Sequence, residues 1–263
     1  MAFPICGKRA VLEALVSKRP HNYKVLLLAK TRTQDSDIEK ILALANKKSI
    51  RLQHSDSDQL DRYAPGFFNH QGVVLILAEP PRLTELEVVL ERTAKSTKSI
   101  IVALDSLTDH QNIGAIIRTA VVFGADAIMA PRDRSAPLVN AVLWRIAQGG
   151  AEHIDLVEIT NLARSLEQVK EAGFWVVGAT SALSAQAIHH VSDWPDKVVV
   201  VCGSESTGLR RLVVQTCDLL VRIPQQKVGD LESLNVSHAT AVVLWEAYKH
   251  HYPTLAAISP KTT

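Results

Sequence analysis

Short, unbroken apolar runs recur through the second half of the chain, and segments with helical spacing of apolar side chains lie between them. Such runs are typical of buried strands, and their alternation with helices indicates a parallel sheet covered on both faces. The predicted strands are 99–104, 127–130, 154–158, 174–179, 197–202 and 219–223, and the predicted helices are 113–123, 138–148, 162–172 and 209–216. The fold class is therefore α/β, and ligands are expected beyond the carboxyl ends of the strands.

The first part of the chain predicts a smaller α/β unit of its own. Its predicted helices are 8–15, 38–45 and 56–63, and its predicted strands are 25–29, 50–53 and 73–78. The Asp35-Ser36-Asp37 sequence is expected to cap the second helix. The Glu79-Pro80-Pro81-Arg82 sequence is a stiff break. We therefore expect an N-terminal domain at 1–79, a linker at 80–97 and a second domain at 98–263.

Composition excludes several classes of protein. A net charge of +2 over 263 residues is too small for a polycation, and no apolar run approaches the roughly 20 residues that a transmembrane helix needs. No leader sequence is recognisable, which predicts a cytoplasmic protein. The three cysteines, Cys6, Cys202 and Cys217, are too far apart for a zinc site, and no metal is expected. No Gly-x-Gly-x-x-Gly follows an early strand, which disfavours a Rossmann-type enzyme.

Three polar clusters follow predicted strands. The first contains Asn112, which can cap the next helix, and the Gly114-Ala115 pair, which allows another backbone to approach closely. Arg118 follows among apolar residues, so partial burial beside an anionic ligand is expected. A surface arginine with its stem on the sheet is the alternative.

The second cluster runs from Gly203 through Glu205 to Gly208, and its small residues allow backbone amides to line a pocket. It matches neither a P-loop nor the elbow of serine hydrolases. The third cluster is Ile223-Pro224 followed by Ser233-Leu234-Asn235-Val236-Ser237 at the start of a helix. Ser233, Asn235 and Ser237 are three hydroxyl or amide side chains, more than one helix cap needs. The simpler interpretation is nevertheless a helix cap with surplus capping residues.

Together the clusters resemble the SPOUT class of S-adenosylmethionine-dependent RNA methyltransferases, specifically the TrmH-type 2′-O-ribose enzymes. They are similar to the family motifs Asn-x-Gly-Ala-x-x-Arg-Thr/Ser-Ala, Gly-x-Glu-Gly-x-Gly, and Ile-Pro-Met followed by Ser-Leu-Asn-Val-Ser. The likeness extends across 130–136, 150–152 and 160–164, and into 7–15 and 70–73. Within the family the chain is most similar to enzymes that methylate a guanosine of 23S rRNA and carry an N-terminal substrate-binding domain.

The resemblance implies a C-terminal SPOUT domain with a deep trefoil knot, an N-terminal RNA-binding domain and a homodimer. It implies S-adenosyl-L-methionine as cofactor and structured RNA as substrate, with rRNA favoured over tRNA. The residues that it assigns to catalysis are Arg118, Asn112, Glu205, Ser233 and Asn235. The residues that it assigns to cofactor binding are Gly203, Ile223, Leu234 and Thr180.

The chain departs from the family pattern at a few positions. Ser206 replaces a glycine, Gln225 replaces a methionine, and the segment 225–232 is longer than in close relatives; His110 replaces a proline. Two alternatives stay open. One is a methyltransferase acting on tRNA, and the other is a catalytically weakened RNA-binding or ribosome-assembly protein on the same fold.

Overall fold

The computed structural model describes residues 2–30, 35–64, 69–204, 207–226 and 233–252. Over these residues the strands are β1 Phe3–Cys6, β2 Tyr23–Ala29, β3 Leu52–Ser55, β4 Val73–Leu77, β5 Ser99–Asp105, β6 Ala127–Pro131, β7 Asp155–Ile159, β8 Trp175–Ala179, β9 Gln186–Ala187, β10 Lys197–Gly203 and β11 Leu219–Arg222. The helices are α1 Lys8–Val16, α2 Ser36–Lys47, α3 Ser57–Asp61, α4 Leu86–Ala94, α5 His110–Val122, α6 Ala141–Ile146, α7 Leu162–Glu171, α8 Arg211–Thr216 and α9 Val236–His251.

The larger sheet has seven strands within the described residues, in the order β7-β6-β5-β10-β8-β11-β9. β10 pairs in parallel with β5 and β8, and β11 pairs in parallel with β8 and β9. β5 and β10 are buried along almost their whole length, which explains why both are unbroken apolar runs in the sequence. The prediction of an α/β fold with a parallel sheet is confirmed.

The smaller sheet has the order β1-β4-β2-β3 over the described part of the chain. β4 pairs antiparallel with β1 and β2, whereas β2 and β3 are parallel. The sequence did not predict β1, which contains Pro4. A proline is tolerated there because β1 is an edge strand. The predicted cap of α2 is confirmed, since the Asp35 carboxylate accepts hydrogen bonds from the backbone N–H groups of Asp37 and Ile38.

The structure contains one helix that the sequence did not predict and one that is shorter than predicted. Residues 86–94 form α4, although the sequence assigned them to the linker. α6 is shorter than the predicted 138–148. Asn140 caps its start by accepting a hydrogen bond from the Val142 N–H, and the positive φ angles of Gln148 and Gly149 (50° and 84°) end the helical path. The short extent of α6 thus comes from local capping and turn geometry, which apolar spacing does not encode.

The chain divides into two compact units that each combine several segments. The first comprises Met1–Leu83, Asp109–Arg118 and Pro137–Leu156, and the second comprises Thr84–Thr108, Thr119–Ala136 and Val157–Thr263. The first unit therefore includes parts of the chain that lie well beyond the predicted N-terminal domain.

A buried polar cluster connects distant segments of the first unit. Glu152 is 5% exposed, and one carboxylate oxygen lies 2.7 Å from Nε2 of His21. The other oxygen accepts a hydrogen bond of 2.8 Å from the Trp144 indole. Burial by itself raises the pKa of Glu152, but the hydrogen bonds from His21 and Trp144 and the charges of His21 and Arg19 hold it below its ordinary value. Glu152 is thus a structural carboxylate that stabilises the packing of segment 137–156 on the N-terminal segment.

Candidate active site

Strand ends meet at the carboxyl edge of the larger sheet. Gly203 is in register with Asp105, at the ends of β10 and β5. The Thr180 N–H, just beyond β8, donates a hydrogen bond of 2.9 Å to the Val221 carbonyl of β11. Ile223 follows β11 directly. The structure therefore brings three of the expected cofactor-binding residues, Thr180, Gly203 and Ile223, to the same edge of one sheet.

The loop after β10 folds back tightly on Gly203. A Cβ atom at this position would lie 2.3 Å from the carbonyl carbon of Gly208, so no other residue fits without moving the backbone. The Gly208 N–H donates to the Ser204 carbonyl (2.9 Å), and the Ser204 and Thr207 hydroxyls are 2.7 Å apart. The result is a tight turn of backbone groups at the sheet edge. The predicted catalytic residue Glu205, and Ser206 beside it, lie outside the described residues.

A buried ion pair holds the far end of this loop, and the sequence did not assign it a role. Asp105 has no solvent exposure. Its carboxylate accepts hydrogen bonds from the Arg210 backbone N–H at 2.8 Å and from the Arg210 Nε–H at 2.5 Å. An aspartate at the end of an otherwise apolar strand is the signal that points to such a role, because an unpaired buried carboxylate is strongly unfavourable. Arg210 is therefore a structural anchor for this loop.

The third cluster begins α9. Asn235 is its N-cap, and its Oδ1 accepts hydrogen bonds from the Ser237 N–H (2.9 Å) and hydroxyl (2.6 Å). The capping interpretation therefore holds for Asn235, while Ser233 and Leu234 before it are exposed. The Leu234 N–H donates to Oε1 of Gln225 at 3.2 Å. Gln225, which departs from the family pattern, thus contacts the backbone of a residue that the resemblance assigns to cofactor binding.

Behind this edge α9 packs on β10. The Thr240 hydroxyl donates to the Val236 carbonyl (2.7 Å) and lies 3.0 Å from the Cys202 sulfur. Burial raises the pKa of Cys202 to about 11, although the contact with Thr240 lowers it in part. Cys202 therefore stays a protonated thiol at neutral pH and is not a nucleophile.

The first cluster is placed somewhat differently from the prediction. α5 begins at His110, and the carboxylate of Asp109 accepts a hydrogen bond of 2.9 Å from the Gln111 N–H. Asp109 therefore occupies the capping position that the sequence assigned to Asn112. Asn112 itself lies in the first turn of the helix and is half-buried.

Arg118 is exposed, so the expectation of partial burial was wrong. Its neighbours Ile116, Ile117 and Ala120 are fully buried, because they occupy the face of α5 that packs inward. The backbone of Arg118 is nevertheless closely packed, since a Cβ on Gly150 would lie 3.3 Å from its Cα atom. The residue thus combines a fixed backbone with a guanidinium on the exposed side of the helix.

The close approach expected at Gly114 is confirmed. A Cβ there would lie 2.7 Å from the Ile146 side chain of α6. Glycine at this position therefore allows α6 to contact α5 directly.

No three His, Cys, Asp or Glu side chains lie together as metal ligands would in the described parts of the chain. Nor is any helix in those parts long and apolar enough to cross a bilayer.

Known proteins match both halves of the chain. The SpoU rRNA Methylase family matches residues 99–245, and the family of RNA 2′-O ribose methyltransferase substrate-binding domains matches residues 4–83. The 23S rRNA (guanosine-2′-O-)-methyltransferase RlmB of Pseudomonas putida is 39% identical over 247 residues, covering 93% of this chain and 95% of that protein. YacO of Bacillus subtilis, named a putative TrmH family tRNA/rRNA methyltransferase, is 36% identical over 251 residues, covering 95% and 97%.

A solved structure shows the same fold. The SpoU methyltransferase AviRb of Streptomyces viridochromogenes, determined with the cofactor AdoMet, aligns with a TM-score of 0.76 at 20% identity. The alignment covers 96% of this chain and 91% of that one.

Proposed function

The chain belongs to the SpoU rRNA methylase family, and we propose that it transfers a methyl group from S-adenosylmethionine to a ribose 2′-hydroxyl in structured RNA. The proposed target is a guanosine of large-subunit, 23S-type rRNA. This proposal depends on the match to the 23S rRNA (guanosine-2′-O-)-methyltransferase RlmB of Pseudomonas putida. The match extends along nearly the whole of both chains. Under this proposal, residues 1–79 bind RNA and residues 80–97 link the domains. Residues 98–263 form the catalytic domain, with the knotted C-terminal segment that the family implies.

The residues at the carboxyl edge fit the cofactor. Gly203, Thr180 and Ile223 present backbone groups at one sheet edge, and the close approach of Gly203 to Gly208 leaves no room for a side chain at position 203. These residues, with Leu234, would hold S-adenosylmethionine, whose sulfonium supplies an activated methyl group. Positioning of the ribose hydroxyl and removal of its proton are then the tasks of the protein.

Arg118 is proposed to bind the RNA phosphate next to the reacting ribose. Its exposure suits a contact with a macromolecular substrate, and a guanidinium donates to two phosphate oxygens at once. Because an arginine keeps its proton at neutral pH, Arg118 stabilises the developing alkoxide, and the proton leaves late or through the phosphate. Asn112, Glu205, Ser233 and Asn235 would orient Arg118, the ribose and the cofactor.

A lysine at position 118 tests this role. Arg118→Lys keeps the charge but loses the planar pair of donors, so we expect kcat to fall about 100-fold. The pH–rate profile of both proteins, measured on rRNA that lacks its natural methyl groups, gives the comparison. Near-wild-type rates in the variant would remove any special role for the guanidinium.

The substrate class is tested by mapping 2′-O-methyl groups on rRNA and tRNA from cells that lack this protein. Loss of one mark from 23S rRNA is expected. A mark lost from tRNA instead would favour the tRNA enzyme, and two unchanged pools would contradict the proposed substrate class.

One contact favours the second candidate, a weakened methyltransferase that binds RNA without catalysis. Gln225 already bonds to the Leu234 N–H, which the cofactor would need. Titration calorimetry with S-adenosylmethionine separates the two candidates. Binding heat with the folded protein supports the enzyme, and its absence supports the binding protein.

We also propose a homodimer in the cytoplasm. An aromatic surface on α9 and the end of α5 consists of Phe123, Trp245, Tyr248 and Tyr252, with ring centroids 4.8–6.3 Å apart between neighbours. Trp245 and Tyr252 are 40% and 49% exposed, and Val122 beside Phe123 is 69% exposed. An apolar patch of this kind marks a protein interface, and we propose that the second copy of the chain in the homodimer covers it.

A further inference from the structure

A basic cavity lies within the first unit, on the face of the smaller sheet near α3. It has a volume of about 360 Å³, within the roughly 300–1,000 Å³ that ligand pockets span. Its floor comes from β2 and β3, which pair in parallel with Leu27 opposite Gln53. Because side chains alternate along a strand, Gln53 and Ser55 of the edge strand β3 face the same side as Leu27, and Arg51, just before β3, also lines the cavity. The floor of the cavity is thus formed by the regular side-chain alternation of two paired strands.

The charge of the cavity is positive. Lys24, Arg51 and Arg62 all line it and are exposed, and no acidic residue lines it within the described part of the chain. Acidic neighbours are engaged elsewhere: the Asp56 carboxylate lies 2.9 Å from Lys30, and that of Asp61 lies 3.3 Å from His70 Nε2. Three cations around one small cavity favour a phosphate-bearing ligand.

The other groups of the cavity suit a nucleobase. Tyr63 lines it and is 43% exposed, so its ring is free to stack on a planar ligand. Gln53 and Gln59 supply amides that can both donate and accept hydrogen bonds. Ser55 is 1% exposed, and its buried hydroxyl has no hydrogen-bond partner among the described residues. Buried hydroxyls are normally satisfied, which points to a partner supplied by a ligand.

We propose that this cavity binds one unpaired nucleotide of the RNA substrate. Arg51, Arg62 and Lys24 hold its phosphates, Tyr63 stacks on the base, and Gln53 and Ser55 contact the base edge. Single-stranded RNA is recognised through splayed bases stacked on aromatic rings, which fits a small cavity better than a duplex. The proposal rests on the proposed RNA-modifying function and specifies which part of the substrate-binding domain selects the RNA.

Binding of the full chain to a fluorescein-labelled single-stranded RNA of about 12 nucleotides tests the proposal. Tyr63→Ala should weaken binding about 5- to 100-fold, whereas Tyr63→Phe, which keeps the ring, should bind within twofold of wild type. Arg51→Ala with Arg62→Ala should lower the slope of log Kd against log salt by about 1.4, since two phosphate contacts are lost. A purely structural role would not change this slope.

The matched control is Lys40→Ala with Lys47→Ala, which removes two exposed cations from α2 of the same unit. Equal losses of binding and slope in both double variants would overturn the proposal. So would micromolar competition by free GMP, which would assign the cavity to a free nucleotide. In methylation assays on rRNA the arginine variant should raise KM and leave kcat within twofold.

The binding assay needs no catalysis. Wild-type protein that binds the RNA but does not bind S-adenosylmethionine would contradict the enzymatic function alone. Selective loss of RNA binding in the Tyr63 and arginine variants would still support the cavity.

Discussion

Replacing Asp105 with asparagine is expected to loosen the loop between β10 and α8. The fully buried carboxylate accepts one hydrogen bond from the Arg210 backbone and one from its guanidinium. Asparagine keeps one acceptor oxygen but turns an NH₂ group towards the second donor, so one charge-assisted hydrogen bond is lost. Such a bond contributes about 1.5–3 kcal/mol. Because the Arg210 side chain is 33% exposed, solvent screening places the expected loss near the lower end, at about 2 kcal/mol.

Replacing the partner of Asp105, Arg210, should lower the free energy of unfolding further. Arg210→Ala leaves the carboxylate buried without its cation and is expected to cost about 3 kcal/mol. In the double variant the two losses should not add, and a coupling energy of about 1 kcal/mol or more is expected. Affinity for S-adenosylmethionine should fall in both single variants, because the same loop carries Gly203.

Urea denaturation followed by circular dichroism measures the free energies of unfolding, and calorimetry measures cofactor binding. Arg211→Ala is the matched control, since the neighbouring arginine is exposed and should change stability by less than about 0.5 kcal/mol. The reasoning would be refuted if Asp105→Asn unfolded within that same margin of wild type, or if the losses in the double variant simply added.

Three further changes have expected outcomes. Burial alone raises the pKa of Glu152, but its hydrogen bond with His21 helps to lower it, so the carboxylate stabilises the fold fully above about pH 4.5 and loses that effect as pH falls further. Urea midpoints of wild type and Glu152→Gln should therefore differ at about pH 6, and the difference should shrink as pH falls below about 4.5; a constant difference would contradict this. Gly203→Ala should weaken cofactor binding at least about tenfold in calorimetry, because its Cβ would overlap the turn backbone. Trp245→Ala should produce monomers in light scattering, whereas Leu183→Ala, at an 87% exposed site, should not.

Local features of the structure were predictable because they depend on residues close in sequence. Buried parallel strands such as β5 and β10 have water on neither face, so they are unbroken apolar runs. The Asp35 cap is equally local, since its carboxylate bonds to N–H groups two and three residues ahead. The edge strand β1, by contrast, is short and contains a proline, so no apolar pattern distinguished it from a loop.

The sequence by itself determined the fold class, the strand-end clusters and the motifs that identify the family. These are local patterns, and a parallel sheet brings the carboxyl ends of its strands to one edge. Only the tertiary structure decided that Asp105 anchors Arg210, 105 positions away, and that Glu152 pairs with His21, 131 positions away. It also decided that Arg118 is exposed, because the inward face of α5 depends on what packs against it. Partners distant in sequence are selected by strand register and helix packing, and neither is encoded in the spacing of nearby residues.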